Sequence, residues 1–243
     1  MGWFFHPACA VLSGGVLTPI LTEPSCARKT VARTVSTFAG SLEDIASMPT
    51  AKAKPSIYQL KITLLEIDLP IWRRLQVPST IALCCLHDAL QAVFGWTDSH
   101  LHQFEKGGKY WCVPDDDVFE DDIEIIDERR VPVGKMLLAE GDSMVYVYDL
   151  GDKWRHHILL EKILPSDATM KPVCLAGERR CPPEDVGGPS GYEEFLDVIF
   201  QPGHDEFKNF RGWAGGMFHA EEFDLDAVNK LLGRMRWPVR HRR

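Results

Sequence analysis

From residue 56 the chain takes up a two-residue hydrophobic period: Tyr58, Leu60, Ile62 and Leu64 alternate with Gln59, Lys61 and Thr63. That pattern predicts a half-buried strand. After a turn at Leu69 and Pro70, "LPIWRRLQV" predicts a second, antiparallel strand holding Trp72 and Val77. The period then changes. "PSTIALCCLHDALQAVFGW" spaces Leu83, Leu86, Leu90, Val93 and Phe94 as one helix face, with Ser79 or Thr80 as N-cap and Gly95 as the stop. "HLHQFEKGGKYWCV" predicts a hairpin turning at Gly107 and Gly108. "VPVGKMLL" predicts a short helix, and "MVYVYDLGDKWRHHILLEKIL" two strands joined tightly at Gly151. Residues 165–190 are expected to be loop-rich. "GYEEFLDVIFQ", capped by Ser190, and "FDLDAVNKLLGRM", starting near Phe223 or Asp224, predict the closing helices. This order lacks regular strand-helix alternation, so the expected class is α+β, an antiparallel sheet with packed helices.

The pattern also divides the chain. Residues 1–55 are expected to be a poorly ordered extension, 56–236 a single domain and 237–243 a basic tail. The early apolar patch "ACAVLSGGVLTPIL" lacks the basic region of a secretory signal, and glycine and proline interrupt it before it could span a bilayer. Translation starting at Met48 would account for residues 1–47. Seven cysteines, with Cys84 and Cys85 adjacent inside a helical pattern, point to reduced thiols in a cytoplasmic protein. With 45% apolar residues among 243 the chain can bury a real core. A net charge of −8 gives no support to non-specific nucleic-acid binding, so any DNA contact would be local. The dense basic cluster "RMRWPVRHRR" and the acidic run from Asp115 to Glu124 read equally well as solvated segments or partner sites.

Candidate chemistry lies in four places. His100 and His102, two apart on an expected strand, would face the same way about 7 Å apart and could chelate one metal. The competing reading is a polar strand face with Leu101 buried behind it. "YDLGDKWRHH" adds Asp149, Asp152, His156 and His157 around a tight turn, where Asp commonly bonds its own backbone. Asp149 would end an apolar strand face and need a partner, which Arg73, Arg74, Arg155 or a histidine could supply. Cys174 and Cys181 could close a structural zinc site with a histidine such as His204, although their spacing is wider than in zinc knuckles and buried thiols compete with that reading. Last, "CPPEDVGGPSGY" from Cys181 to Tyr192 is a stiff, shaped loop that carries Glu184 and Asp185. As a scaffold it would deliver Ser190 as a cap and Tyr192 to the core, with Asp185 buried and paired. No Walker loop, dinucleotide fingerprint or G-x-S-x-G is present, so no nucleotide cofactor is implied.

Together "YQLKITL", "PIWRRLQVP", "LHDALQAVFGWTDSHLHQF", "YDLGDKWRHHILLE", "CPPEDVGGPSGY" and "FDLDAVNKLL" closely resemble the plasmid pRiA4b Orf-three-like protein family, in order, from Ser56 to Met235. Leu150 stands where the family pattern has Phe, and "MFHAEEF" departs from a more typical Asp-Pro-Glu. The resemblance implies an α+β fold and little chemistry. Members are often labelled resolvase-like passengers of transposons or plasmids. This chain shows neither a helix-turn-helix with a basic recognition helix nor a serine or tyrosine recombinase constellation. The expected function is a mobile-element-associated accessory or binding protein, linked to DNA transposition or recombination, with protein or DNA as partner. The alternative is a metal-dependent hydrolase or nuclease using Zn, Mn or Mg at His100, His102, Asp149, Asp152, His156, Glu184 and Asp185. Convergence of these side chains in space separates the two.

Overall fold

The computed structural model describes residues 56–114, 124–165 and 170–237. The expectations for residues 1–55, for most of the acidic run and for the last six residues of the basic tail lie outside them. The first two strands form as their alternation predicts. β1 (Ser56–Leu64) and β2 (Trp72–Pro78) pair antiparallel, with Tyr58, Leu60, Ile62 and Leu64 buried on one face beside Arg73, Leu75 and Val77. α1 (Leu83–Phe94) lays its apolar stripe on that face and ends at Gly95, whose φ of 85° supplies the left-handed cap. β3 (His102–Lys106) and β4 (Lys109–Cys112) form the Gly-Gly hairpin, β5 (Ile125–Asp127) follows, and a 3₁₀ turn at Glu128–Arg130 leads into α2 (Val133–Met136). β6 (Ser143–Tyr148) and β7 (Trp154–Pro165) are the tightly joined pair. β8 (Val173–Glu178), α3 (Gly188–Ile199), α4 (Phe207–Trp213) and α5 (Leu225–Arg234) complete the order.

One eight-stranded sheet results, ordered β5-β4-β3-β6-β7-β1-β2-β8. It is mixed, because β5 runs parallel to β4 while every other pairing is antiparallel. The interval expected to be loop-rich contains β8, an edge strand. Asn229 of α5 covers its free side by accepting from Cys174 N–H at 2.9 Å and donating to Cys174 C=O at 2.9 Å, much as a ninth strand would. No helix among the described residues is long and apolar enough to cross a membrane.

Two expected helix caps are not made. α1 starts after Ala82, and Leu83 N–H donates instead to Val131 C=O at 3.0 Å, because Ala82 bridges to Pro132. Ser79 is used elsewhere, exchanging bonds with Ser56 at the start of β1. α3 starts from Gly187 at φ 91°, which leaves Ser190 inside the helix. Asp224 does cap α5, accepting from Ala227 N–H at 2.9 Å.

Candidate functional site

The turn between β6 and β7 does not extend the strand to Asp149. This residue adopts a left-handed φ of 56°, and its Oδ1 accepts from the N–H groups of Gly151 and Asp152 at 2.9 and 3.2 Å. Its own turn takes one oxygen and leaves Oδ2 facing His100 Nδ1 at 3.7 Å. None of the proposed arginines is its partner; the histidine is. On the other side of the ring, His100 Nε2 lies 2.9 Å from Asp185 Oδ1, at ion-pair distance but off the line of an N–H···O hydrogen bond. Asp185 also has a left-handed φ of 56°. Two carboxylates in a conformation that L residues seldom adopt thus hold one imidazole between them. The ligating atoms of His100, Asp149 and Asp185 all lie within 4.8 Å of one another.

The stiff loop builds this arrangement from the other side. Pro182 C=O accepts from Trp96 Nε1–H at 3.2 Å. Glu184 Oε1 takes bonds from Thr97 N–H at 2.8 Å, Thr97 Oγ1–H at 3.1 Å and Tyr148 O–H at 3.1 Å. Burial and the neighbouring Glu184 carboxylate both push the Tyr148 phenol upward, so this hydroxyl keeps its proton and donates it; donors from Ser99 and His100 oppose them. Asp152 Oδ2 accepts from Gly187 N–H at 3.1 Å. Glu184 and Asp152 are therefore fasteners of the loop, and Tyr192 enters the core as expected. The glycines are needed for space. A Cβ on Gly191 would sit 2.0 Å from Val186 O, and one on Gly188 2.7 Å from Asp152 O with φ at 71°. Gly191→Ala should lower stability by about 1–3 kcal/mol through overpacking, read as a shift in the urea midpoint.

Asp185 departs from the scaffold expectation: its side chain is 68% exposed. A pair so open to water contributes little, so Asp185→Asn, which keeps a side chain tolerant of positive φ, should move the urea midpoint by no more than about 0.5 kcal/mol.

His102 does not join His100. β3 begins only at His102, so the two-residue strand repeat does not relate the pair, and Leu101 between them is largely exposed. His102 Nε2 instead meets the fully buried Glu128 carboxylate at 3.0 Å, and its ring stacks on His87 with centroids 3.5 Å and planes 5° apart. His87 in turn contacts Tyr146 Oη at 2.8 Å and Asp98 Oδ1 at 2.9 Å. Burial, then the neighbouring His102, holds His87 down to about 4. The ligating atoms of His87, Asp98 and His102 are also clustered. However, two parallel stacked rings direct their in-plane lone pairs along separate planes, so one ion cannot lie in line with both. This group is a packed polar network. Sequence reading passed over His87, although it continues the buried stripe of α1 between Leu83 and Leu90; Asp98 and Glu128 carry no such signal.

The remaining candidates are scattered. His156 is fully buried among Phe94, Trp96 and Tyr146, with Nδ1 3.3 Å from Tyr146 C=O. Cys174 and Cys181 are buried beside the Arg73 guanidinium, and burial pushes both thiols up. They form no ligand group with a histidine among the described residues, and His204 lies exposed, accepting from Glu206 N–H. No disulfide joins cysteines among the described residues.

Comparison with known proteins places this geometry in a family. The model of the plasmid pRiA4b ORF-3-like protein family matches residues 56–227. The uncharacterized protein y4hQ of Sinorhizobium fredii (strain NBRC 101917 / NGR234) is 38% identical over 175 residues, covering 72% of this chain and 87% of its own. The crystal structure of MM3350 from Methanosarcina mazei Go1, a protein of unknown function, is similar with a TM-score of 0.65 and 35% identity, covering 72% of this chain and 97% of that one. On a match that spans β1 to the first turn of α5 and includes His100, Asp149 and Asp185, the chain belongs to the plasmid pRiA4b ORF-3-like protein family.

Proposed function

We propose that the protein is a divalent-metal-dependent hydrolase whose ion is held at His100, Asp149 and Asp185. The observation that carries this reading is the convergence of those three ligating groups within 4.8 Å on two carboxylates in left-handed backbone conformations. One nitrogen of His100 would take the ion beside one oxygen each of Asp149 and Asp185. Imidazole with carboxylate oxygens suits Zn or Mn. An ion held there would supply a polarised water at neutral pH. Asp185 is exposed, so an ion held there would be reachable by water, and the loop fastened by Glu184 and Asp152 keeps Asp185 in place.

The test combines inductively coupled plasma mass spectrometry with Mn- or Zn-dependent hydrolysis of bis(4-nitrophenyl) phosphate. The wild-type protein should retain about one ion per chain, and His100→Ala and Asp185→Asn should each lose the ion and at least about 100-fold in turnover. Absence of both bound ion and metal-dependent turnover in the wild-type protein, after reconstitution with each metal, would remove the hydrolase reading.

A second reading is an accessory binding module of a mobile element, cytoplasmic and with a protein or DNA partner. It draws on the family resemblance and on a cleft of about 450 Å³ beside the same loop, lined by Phe94, Trp96, Pro182, Pro183, Phe218 and Phe223.

A further inference from the structure

Asp185 faces two ways. While Oδ1 meets His100, the same residue lines a pocket of about 300 Å³ with Val186, Asn209, Phe210 and Trp213. Trp213 ends α4 with 48% of its surface exposed, and its ring meets the buried Phe195 in an edge contact at 5.9 Å. Phe210 is held by the same Phe195 at 5.9 Å. The pocket therefore presents an indole that packs one edge on the core and keeps an open surface. Asn209 Nδ2 donates to Glu206 Oε2 at 2.8 Å, and among the described residues no group takes its Oδ1.

We propose that this pocket takes the nucleobase of a mononucleotide, stacked on Trp213 with its polar edge at Asn209 and its phosphate directed to the His100, Asp149 and Asp185 site. The phosphate part rests on the metal-site reading; the ring pocket stands without it. Three features select this ligand. A wholly apolar ring would cover Asn209 and Asp185 without giving them a hydrogen bond, whereas a heteroaromatic ring with donors and acceptors on its rim satisfies both. The volume lies at the small end of the roughly 300–1,000 Å³ of ligand pockets, room for one ring system. Among the described residues no Lys or Arg lines the pocket, and the chain carries a net charge of −8, so a polyanionic strand gains little here, while one phosphate can be met by one ion.

Isothermal titration calorimetry of the full chain with adenosine, adenosine 5′-monophosphate and ribose 5-phosphate, in EDTA and then in Mn²⁺, tests the proposal. In EDTA adenosine and the monophosphate should saturate the protein and ribose 5-phosphate should not. Trp213→Ala should weaken both by about 10-fold or more, and Trp213→Phe should keep them within about 3-fold, since stacking survives. Mn²⁺ should tighten the monophosphate alone, an effect that Asp149→Asn abolishes without touching adenosine. Absence of adenosine binding, or equal binding by wild type and Trp213→Ala, overturns the ring pocket. Adenosine binding that behaves as stated without any Mn²⁺ effect keeps the pocket and removes the metal-site reading. A single-stranded oligonucleotide that binds more tightly than the monophosphate, with the same loss in Trp213→Ala, overturns the mononucleotide in favour of a strand.

Discussion

Replacing Arg73 by methionine should lower stability by about 3–5 kcal/mol, the range for leaving buried polar partners unmatched. Arg73 is 2% exposed on the core side of β2, and among the described residues no carboxylate meets it. Four backbone carbonyls do. Nε–H donates to Val93 O, the Nη1 group to Trp72 O and Glu178 O, and the Nη2 group to Arg179 O, each at 2.8 Å. One guanidinium therefore ties the last turn of α1, its own strand and the end of β8. Phe223 and Phe94 flank it at 4.1 and 5.1 Å, and desolvation draws its proton affinity down. The strands can close around it only because Gly177 lacks a Cβ, which would meet Arg73 Cδ at 2.8 Å. Methionine fills much of the stem volume but leaves four carbonyls without a donor. Lysine offers a point charge in place of a planar fork, so Arg73→Lys should recover less than half of the loss. Urea denaturation of the three proteins decides the matter: a cost below about 1 kcal/mol for methionine would show that water replaces the guanidinium and that the three elements do not depend on it.

Arg73 also marks the limit of what the sequence makes legible. On a strand, adjacent residues face opposite ways, so "WRR" already requires that one of Arg73 and Arg74 point with Leu75 and Val77 into the core. Arg74 is the outer one, bonded to Glu161 on the open face. The carbonyl cage around Arg73 is not legible, because its acceptors are backbone atoms, which every sequence has. The same distinction runs through the fold. β1, β2, α1, β6 and β7 could be read because burial on one side writes a period into side chains. β5 has three residues and its parallel partner is fixed by what lies around it; α4 buries no residue; neither carries a period. In β8 the alternation of "VCLAGE" is broken by the register shift opposite Arg74 and Leu75. The caps at Ser79 and Ser190 failed because tertiary groups, Val131 C=O and the Gly187 turn, took over the local role.

For the site, residue type identified candidates and only folding sorted them. Asp149 and Asp185 reach the same imidazole because a β-turn and a proline-glycine loop each bend their backbone into the left-handed region, and no spacing rule connects those two segments. His100 and His102 show the converse. Their spacing pairs them on paper, but the strand starts at His102, two residues too late to include His100. The loop from Cys181 to Tyr192 acts as a scaffold: Glu184 fastens it, and that fastening presents Asp185 to His100.

Acidification should destabilise the protein through His156, a candidate ligand that the fold places in the core. The ring is fully enclosed, its Nδ1 bonded toward Tyr146 C=O and its Nε2 without a partner. Burial holds its pKa down to about 3; the backbone bonds from Tyr146 and Trp154 oppose this weakly, and the nearby Arg73 charge adds to it. An unfolded histidine titrates near 6.5. Between those values the unfolded chain binds a proton that the folded chain refuses, so stability falls as pH falls from about 6.5, and the loss is complete near 3. At ~1.4 kcal/mol per pH unit the contribution is about 2 kcal/mol at pH 5 and 4–5 kcal/mol at the lower limit. His156→Phe removes the titration while keeping an aromatic ring against Phe94 and Trp96. The variant should be less stable than wild type at pH 7.5, where the bond to Tyr146 is lost, and the difference should shrink and then reverse on acidification. Urea midpoints measured from pH 7.5 to 4.5 read this directly. Parallel curves for the two proteins would mean that His156 takes up its proton in the folded state, by admitting water to Nε2 or by leaving the core.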